Sequence, residues 1–241
     1  MYSDVFCKVY NEFGWNYYPE AFGEQLLAWL SGNGVSPRNA LDMACGTGIL
    51  CRILQNAGIP SRGMDLSPGM IHIAREENPE IPFDVADMIT YDPLQHFDLI
   101  TCTGDAVNHI PTLTDVQKIF CNVHGLLSPG GLFVFDILDE KEVSTSEPFE
   151  MDFTDSTRVW FQMTRPEESR VQLQIRVFEN GKEAFSEIIR ETIHDVDSIC
   201  KMLQIAGFQI IKCSHRLSDT TGTDATTWFI IAKRRIDYGR K

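Results

Sequence analysis

Positive charge is scarce in this chain: 21 Lys and Arg stand against 34 Asp and Glu, a formal net charge of -13. A broad phosphate-binding surface needs a basic patch, so nucleic acid is not an expected partner. The one basic cluster, Lys233 to Arg235, lies near a terminus and reads as a solvated end. Long apolar runs are missing as well. No stretch reaches the roughly 18 residues of a membrane span. The opening MYSDVFCKVY has neither the basic start nor the apolar run of a secretory leader. No membrane partner is expected, and the expected location is cytoplasmic. The seven cysteines are odd in number and scattered, with no C-x-x-C pair. Disulfide frameworks and zinc sites both use closer, patterned spacing, so no metal is expected and the thiols read as reduced. Cys51, Cys121 and Cys200 read as small core hydrophobes. Internal repeats and low-complexity tracts are absent too.

What is present suits a sizeable core. Hydrophobic residues make up 43% and charged residues 23% of 241 positions, which fits one large domain or one domain with an insertion. Strand-like and helix-like segments alternate through the first 140 residues, the pattern of an α/β protein with helices on both faces of a parallel sheet. A helix is expected from about Pro19 to Leu30, with Phe22, Leu26, Leu27 and Leu30 on one face. NALDMA, SRGMDL, PFDVADM, FDLITCT and LFVFDIL are expected strands, the last set off by a chain break at SPGG. The helix after SRGMDL has Ser67 as its N-cap and Pro68 at its first position. A further helix is expected from Thr114 to Leu127.

The character changes near Ser144. Val171, Leu173, Ile175 and Val177 alternate with Gln172, Gln174 and Arg176, and Asn180-Gly181 supplies a tight hairpin turn. Residues 194–235 return to a helix and two strands, FQIIKCS and TTWFIIAKR. The expected organisation is a single domain, 1–241: an aromatic and helical N-terminal segment at 1–36, a core at 37–143, an antiparallel β insertion at 144–193, and the final elements at 194–235.

The stretch LDMACGTGIL carries the most chemistry. An apolar strand ends in Asp42, and Ala44-Cys45-Gly46-Thr47-Gly48 then offers almost no side chain before a helix begins. Such a turn lets backbone N–H groups come close to a ligand, and the helix N-terminus favours a carboxylate or phosphate. Dinucleotides and S-adenosylmethionine both use this geometry. The dinucleotide fingerprint would need glycine where Cys51 stands, and no Lys-Ser or Lys-Thr pair follows to make a phosphate loop.

LDMACGTG resembles the first motif of the class I S-adenosylmethionine-dependent methyltransferases, with Ala44 where the first glycine usually stands. The resemblance continues in order through GMDLS, SPGM, VADM, FDLITCTGD and LLSPGGLFVFD, over about residues 40 to 137. It implies a Rossmann-like, seven-stranded, mostly parallel sheet of order 3-2-1-4-5-7-6, with the last strand antiparallel. It implies S-adenosylmethionine as cofactor and S-adenosylhomocysteine as product. Asp42 and the turn Ala44, Cys45, Gly46, Thr47 and Gly48 would face the methionine half. Asp65 would accept from the ribose hydroxyls, as a carboxylate suits a diol. Leu66 and Met70 would flank adenine, Asp87 and Met88 would meet its edge, and Thr103 and Gly104 would border the reacting methyl group. Aromatic N-terminal segments of similar enzymes fold over the cofactor, which makes Tyr10 and Tyr18 candidate contacts; the plain alternative is that Phe13 and Trp15 pack the N-terminal helix onto the sheet.

Methyl transfer from a sulfonium is an in-line displacement, for which alignment matters most and a general base is helpful rather than compulsory. Asp105 and His109 are the catalytic candidates, four residues apart and on one face if that segment is helical. Asp105 would hold an amine or cap a short helix; His109 would take a proton or pack beneath a loop. The Asn/Asp-Pro-Pro-Tyr/Phe signature of methyltransferases acting on exocyclic amines is missing after FDLITCT, which with the acidic charge moves weight to a small-molecule acceptor. The expected activity is methyl transfer to N or O of such a molecule. A cofactor-binding protein without catalysis and an RNA or protein methyltransferase are the alternatives. The insertion is a candidate lid, substrate wall or homodimer surface, and its Arg158, Arg176 and Arg190 either meet a substrate carboxylate or pair with acids.

Overall fold

The computed structural model describes residues 3–141, 143, 145–217 and 227–236. Ser144, where the insertion is expected to begin, and Thr226 of the last expected strand lie outside the described residues. The N-terminal segment forms α1 (Asp4–Val9) and α2 (Tyr17–Gly32). Next come β1 (Ala40–Met43), α3 (Ile49–Asn56), β2 (Ser61–Asp65), α4 (Pro68–Glu77), β3 (Phe83–Val85) and β4 (Phe97–Cys102). A single 3-10 turn (Ala106–His109) leads to α5 (Leu113–Leu126) and β5 (Leu127–Leu138). The insertion supplies β6 (Phe149–Asp152), β7 (Thr157–Glu167), β8 (Arg170–Glu179) and β9 (Lys182–Thr192), and α6 (Val196–Ile205), β10 (Phe208–Ser214) and β11 (Thr227–Arg234) close the chain.

Seven strands form one sheet in the order β3-β2-β1-β4-β5-β11-β10. Counted through this sheet alone, that is 3-2-1-4-5-7-6. β11 runs antiparallel to both β5 and β10, and the β1, β2, β3, β4 and β5 pairings are parallel. Residues alternate across β5 as a strand buried on both faces requires. Leu132 and Val134 join Phe22, Leu26, Leu50 and Leu54 on one side, and Phe133, Phe135 and Ile137 join Val116, Phe120, Ile199 and Leu203 on the other. Helices α2 and α3 thus cover one face and α5 and α6 the other. α4 lies beside α3, where Ile71 and Ala74 pack on Cys51 and Phe83.

Local chemistry sets the element ends. Ser67 caps α4 by accepting from Met70 N, and Thr112 caps α5 by accepting from Asp115 N. Ser128-Pro129-Gly130-Gly131 does not end a segment as expected. Phe97 faces Leu127 and Leu99 faces Leu132, so these four residues bulge from a strand that starts where α5 stops. β3 is shorter than PFDVADM because the chain turns at Asp87, whose Oδ1 accepts from Ile89 N at 2.8 Å. Cys51 is buried as expected, whereas Cys121 is exposed and Cys200 half-buried, since both fall beside rather than on the apolar stripes of their helices.

The insertion is a separate antiparallel sheet of order β6-β7-β8-β9. Asn180 (φ 50°) and Gly181 (φ 75°) make the expected left-handed turn between β8 and β9. One face buries Val159, Ile175, Val177 and Ile189 against Phe6, Tyr10, Phe13 and Trp15. The N-terminal aromatics therefore pack on the insertion, not on the main sheet, because only the insertion's face lacks a helix of its own.

Candidate active site

The chain from β1 to α3 takes the left-handed conformation at Ala44 (φ 57°), Gly46 (φ 53°) and Gly48 (φ 81°). A Cβ at Gly46 would meet nothing within 4 Å, whereas one at Gly48 would lie 2.7 Å from Phe83 Cζ. Gly48 thus allows helix and sheet to close up, and Gly46 leaves bare backbone toward the cleft. The N–H groups are committed internally: Cys45 N donates to Met64 O (2.9 Å), Gly46 N to Asp65 Oδ2 (3.0 Å) and Gly48 N to Cys45 O (2.9 Å). The turn offers steric room more than the free donors its sequence suggests.

Two acids stand near this turn. Asp65, at the end of β2, accepts from Ser67 N through Oδ1 (2.8 Å) and from Gly46 N through Oδ2 (3.0 Å). Burial pushes its carboxyl above the usual range, and these backbone donors oppose the rise. Leu66 N–H adds a third backbone donor, and of the roughly four lone-pair sites of a carboxylate one is left for a further donor. Asp42 is 3% exposed; its Oδ1 accepts from Thr101 Oγ1 at 2.6 Å, and Cys51 Sγ lies 3.9 Å from Oδ2. Burial pushes it up to about 7, with the Thr101 hydrogen bond opposing and the charges of Asp65 and Asp136 adding. Leu66 stands 51% exposed, while Met70 is buried beneath it in the first turn of α4. Asp87 is exposed, and Met88 packs against the core, its carbonyl accepting from Asn122 Nδ2 at 2.9 Å.

Beyond β4, Gly104 (φ 72°) and Asp105 (φ 58°) are both left-handed and reverse the chain before the 3-10 turn. Asp105 and His109 therefore do not share an α-helical face. Asp105 precedes the helical residues, and a turn of three residues sets i over i+3. Both N–H groups point to Asp136 at the carboxyl end of β5: Gly104 N donates to Oδ2 (3.1 Å) and Asp105 N to Oδ1 (2.8 Å). Asn108 is buried and joins the turn to its neighbours, donating to Thr192 O (2.8 Å) and accepting from Leu138 N (3.1 Å). His109 Nε2 lies 3.9 Å from Glu191 Oε1 at the end of β9. Burial lowers the His109 pKa; it pushes Glu191 up to about 7, with the charge of Asp136 adding.

The N-terminal segment covers these parts. Thr47 Oγ1 donates to Asn11 Oδ1 (2.9 Å), and the thiol of Cys7 lies 3.6 Å from Ser67 Oγ. The Tyr10 ring stacks on Trp15 (5.6 Å between centroids). Burial raises its phenol's pKa, and the charges of Asp65 and Asp105 raise it further. Tyr18 donates to Asp136 Oδ2 at 2.8 Å. On the insertion, Arg158 pairs with Glu150 and Asp152, and Arg176 pairs with Glu183 and lies over Trp160 and Phe178.

Three residues of this constellation were not singled out from the sequence. Asp136 had a signal: it stands near the carboxyl end of an apolar strand, as Asp42 and Asp65 do. Thr101 and Glu191 had none, being a central-strand residue and one acid of an alternating hairpin.

A mostly parallel sheet whose β1 and β2 carry acids at or next to their carboxyl ends around a bare glycine turn, with a reversed chain beyond β4, is a Rossmann-like architecture. Residues 40–131 match the methyltransferase domain family. Over that region the chain is similar to S-adenosylmethionine-dependent methyltransferases. It is 26% identical over 232 residues to YqeM of Bacillus subtilis (strain 168), which carries a methyltransferase name, covering 91% of this chain and 92% of that one. Over 99 residues it is 31% identical to the dTDP-4-amino-2,3,4,6-tetradeoxy-D-glucose N,N-dimethyltransferase of Saccharopolyspora spinosa, covering 41% of this chain and 40% of that enzyme. Its fold matches S-adenosylmethionine-bound CalS10, an amino pentose methyltransferase of Micromonospora echinaspora, with a TM-score of 0.75 at 20% identity over 97% of this chain and 98% of that one. Among the described residues, no helix is long and apolar enough to cross a membrane.

Proposed function

We propose that this chain transfers a methyl group from S-adenosylmethionine to a nitrogen or oxygen of a small molecule. The observation that carries the reading is Asp65: a half-buried carboxylate held by backbone N–H groups, one of them from the glycine turn itself, with acceptor capacity left for a ribose hydroxyl. Asp65 would hold the ribose. Asp42 and the turn from Ala44 to Gly48 would face the methionine portion, with Gly46 open to it and Asp42 as the nearest buried acid for its ammonium. Leu66, Met70, Asp87 and Met88 would border adenine. Tyr10 would close the cleft from the N-terminal side, and residues 1–36 would act as its cover. The cofactor supplies an activated methyl group on a neutral leaving group.

Thr103, Gly104, Asp105 and His109 would line the acceptor side. Burial lowers the His109 pKa and so favours the neutral imidazole, which can take a proton from an incoming ammonium or hydroxyl, with Glu191 beside it. The acids on this side suit an amine acceptor, as does the amino-sugar relative. Thiols without a disulfide suit the reducing cytoplasm, where we place the protein. Two measurements test the reading: titration with S-adenosylhomocysteine by calorimetry, and a mass-spectrometric screen of small amines, phenols and carboxylates for cofactor-dependent methylation. Binding with product supports it; binding with no product from any class leaves a cofactor-binding protein instead.

A further inference from the structure

Asp136 takes no part in the cofactor grip or the proton path described above, yet it is 0% exposed and sits where three elements converge. Its carboxylate accepts from Gly104 N (3.1 Å), Asp105 N (2.8 Å) and Tyr18 Oη (2.8 Å). The two N–H groups are successive and left-handed, a concave pair that ordinarily receives an anion. Here the protein supplies that anion from its own β5. Asp105, as a non-glycine residue, is held in a conformation of higher energy. Tyr18 belongs to α2 of the N-terminal segment, so one carboxylate joins the covering segment to the loop of the acceptor side.

We propose that Asp136 and Tyr18 are positioning residues: together they hold the Gly104–Asp105 backbone in its reversed form and couple it to α2, so that cover and acceptor loop are ordered together. The proposal rests on the methyltransferase reading for its functional consequence, but the coupling itself does not. An asparagine at 136 keeps one acceptor oxygen and presents an amide N–H to at least one of three donors. A phenylalanine at 18 removes the hydrogen bond from α2 and leaves the loop's own hydrogen bonds to Asp136 in place.

Wild type, Asp136→Asn, Tyr18→Phe and the double variant would be compared at 15 °C, with near-UV circular dichroism verifying that each is folded. Hydrogen exchange read by mass spectrometry would follow peptides spanning 17–32 and 103–109. Tyr18→Phe should speed exchange in 103–109 severalfold, because the hydrogen bond it removes ends on the carboxylate that holds that loop. Calorimetry with S-adenosylhomocysteine should show at least tenfold weaker binding for Asp136→Asn, three- to fivefold weaker for Tyr18→Phe, and no further loss in the double variant. A purely structural role would lower the melting temperature and leave affinity within twofold, and that result overturns the proposal. So does a Tyr18→Phe exchange effect confined to 17–32. If wild type fails to bind S-adenosylhomocysteine, the cofactor reading falls, and the exchange experiment alone decides the coupling.

Discussion

Raising the pH from 5 to 8 should destabilise this protein, with Asp42 and Glu191 contributing about equally to the loss. The native carboxyl is pushed from 3.8 up to about 7 by burial, with the Thr101 hydrogen bond only partly offsetting it. The raised pKa means that between about pH 4 and 7 the folded state holds a proton the unfolded state has released. Stability from this group is therefore complete below the unfolded value and is lost as pH climbs through the folded one. At about 1.4 kcal/mol per unit, the whole rise corresponds to roughly 4 kcal/mol, of which about 3 kcal/mol falls between pH 5 and 8. Glu191, raised from 4.5 to about 7 by burial and by Asp136, adds in the same direction. The assay is urea unfolding at half-unit pH steps for wild type, Asp42→Asn and Glu191→Gln. Asparagine keeps an acceptor for Thr101 and cannot ionise, so the slope should fall by about half in Asp42→Asn and by a similar amount in Glu191→Gln. Wild-type stability that rises from pH 5 to 7, or a slope undiminished in Asp42→Asn, would refute the assignment of a buried carboxyl with a raised pKa. A ligand bringing an ammonium to Asp42 should favour the ionised form, so binding near pH 7 should release a proton, visible as a buffer-dependent calorimetric heat.

Asp65→Ala should weaken S-adenosylhomocysteine binding by about 1.5–3 kcal/mol, the scale of a charge-involving hydrogen bond; unchanged calorimetric affinity would remove Asp65 from the site. Gly48→Ala combines a left-handed residue with a Cβ 2.7 Å from Phe83, and should lower stability by about 1–3 kcal/mol in denaturant titration. His109→Ala, assayed with whichever acceptor the screen yields, should reduce the turnover rate about 10²-fold or more if His109 takes the proton; a loss that added base in the buffer fully restores would support that role, and an unchanged rate would end it.

Legibility differs by kind of residue. Periodicity alone discloses the strand and helix alternation, the Ser67 cap and the Asn180-Gly181 turn, because each is set within a few residues of chain. SPGG reads as a break yet forms a bulge, since a bulge depends on what the neighbouring strand pairs with: Phe97 and Leu99 keep Leu127 and Leu132 in one ladder. Cys121 misses the buried stripe by a fraction of a helical turn. The aromatic start is packing material, as its composition suggests, but on a different surface from the expected one. Its partners on the insertion, Val159 and Ile175, lie more than a hundred residues away in the chain.

By itself the sequence determined a seven-stranded α/β core, a glycine turn between two acid-ended strands, and an alternating insertion, since hydrophobic spacing and backbone-permissive residues act locally. Only the tertiary structure decided which carboxylates are buried, that Asp136 gathers Gly104, Asp105 and Tyr18, and that Glu191 comes to His109. Those outcomes depend on desolvation and on contacts between distant segments, and neither quantity exists until the chain has closed on itself.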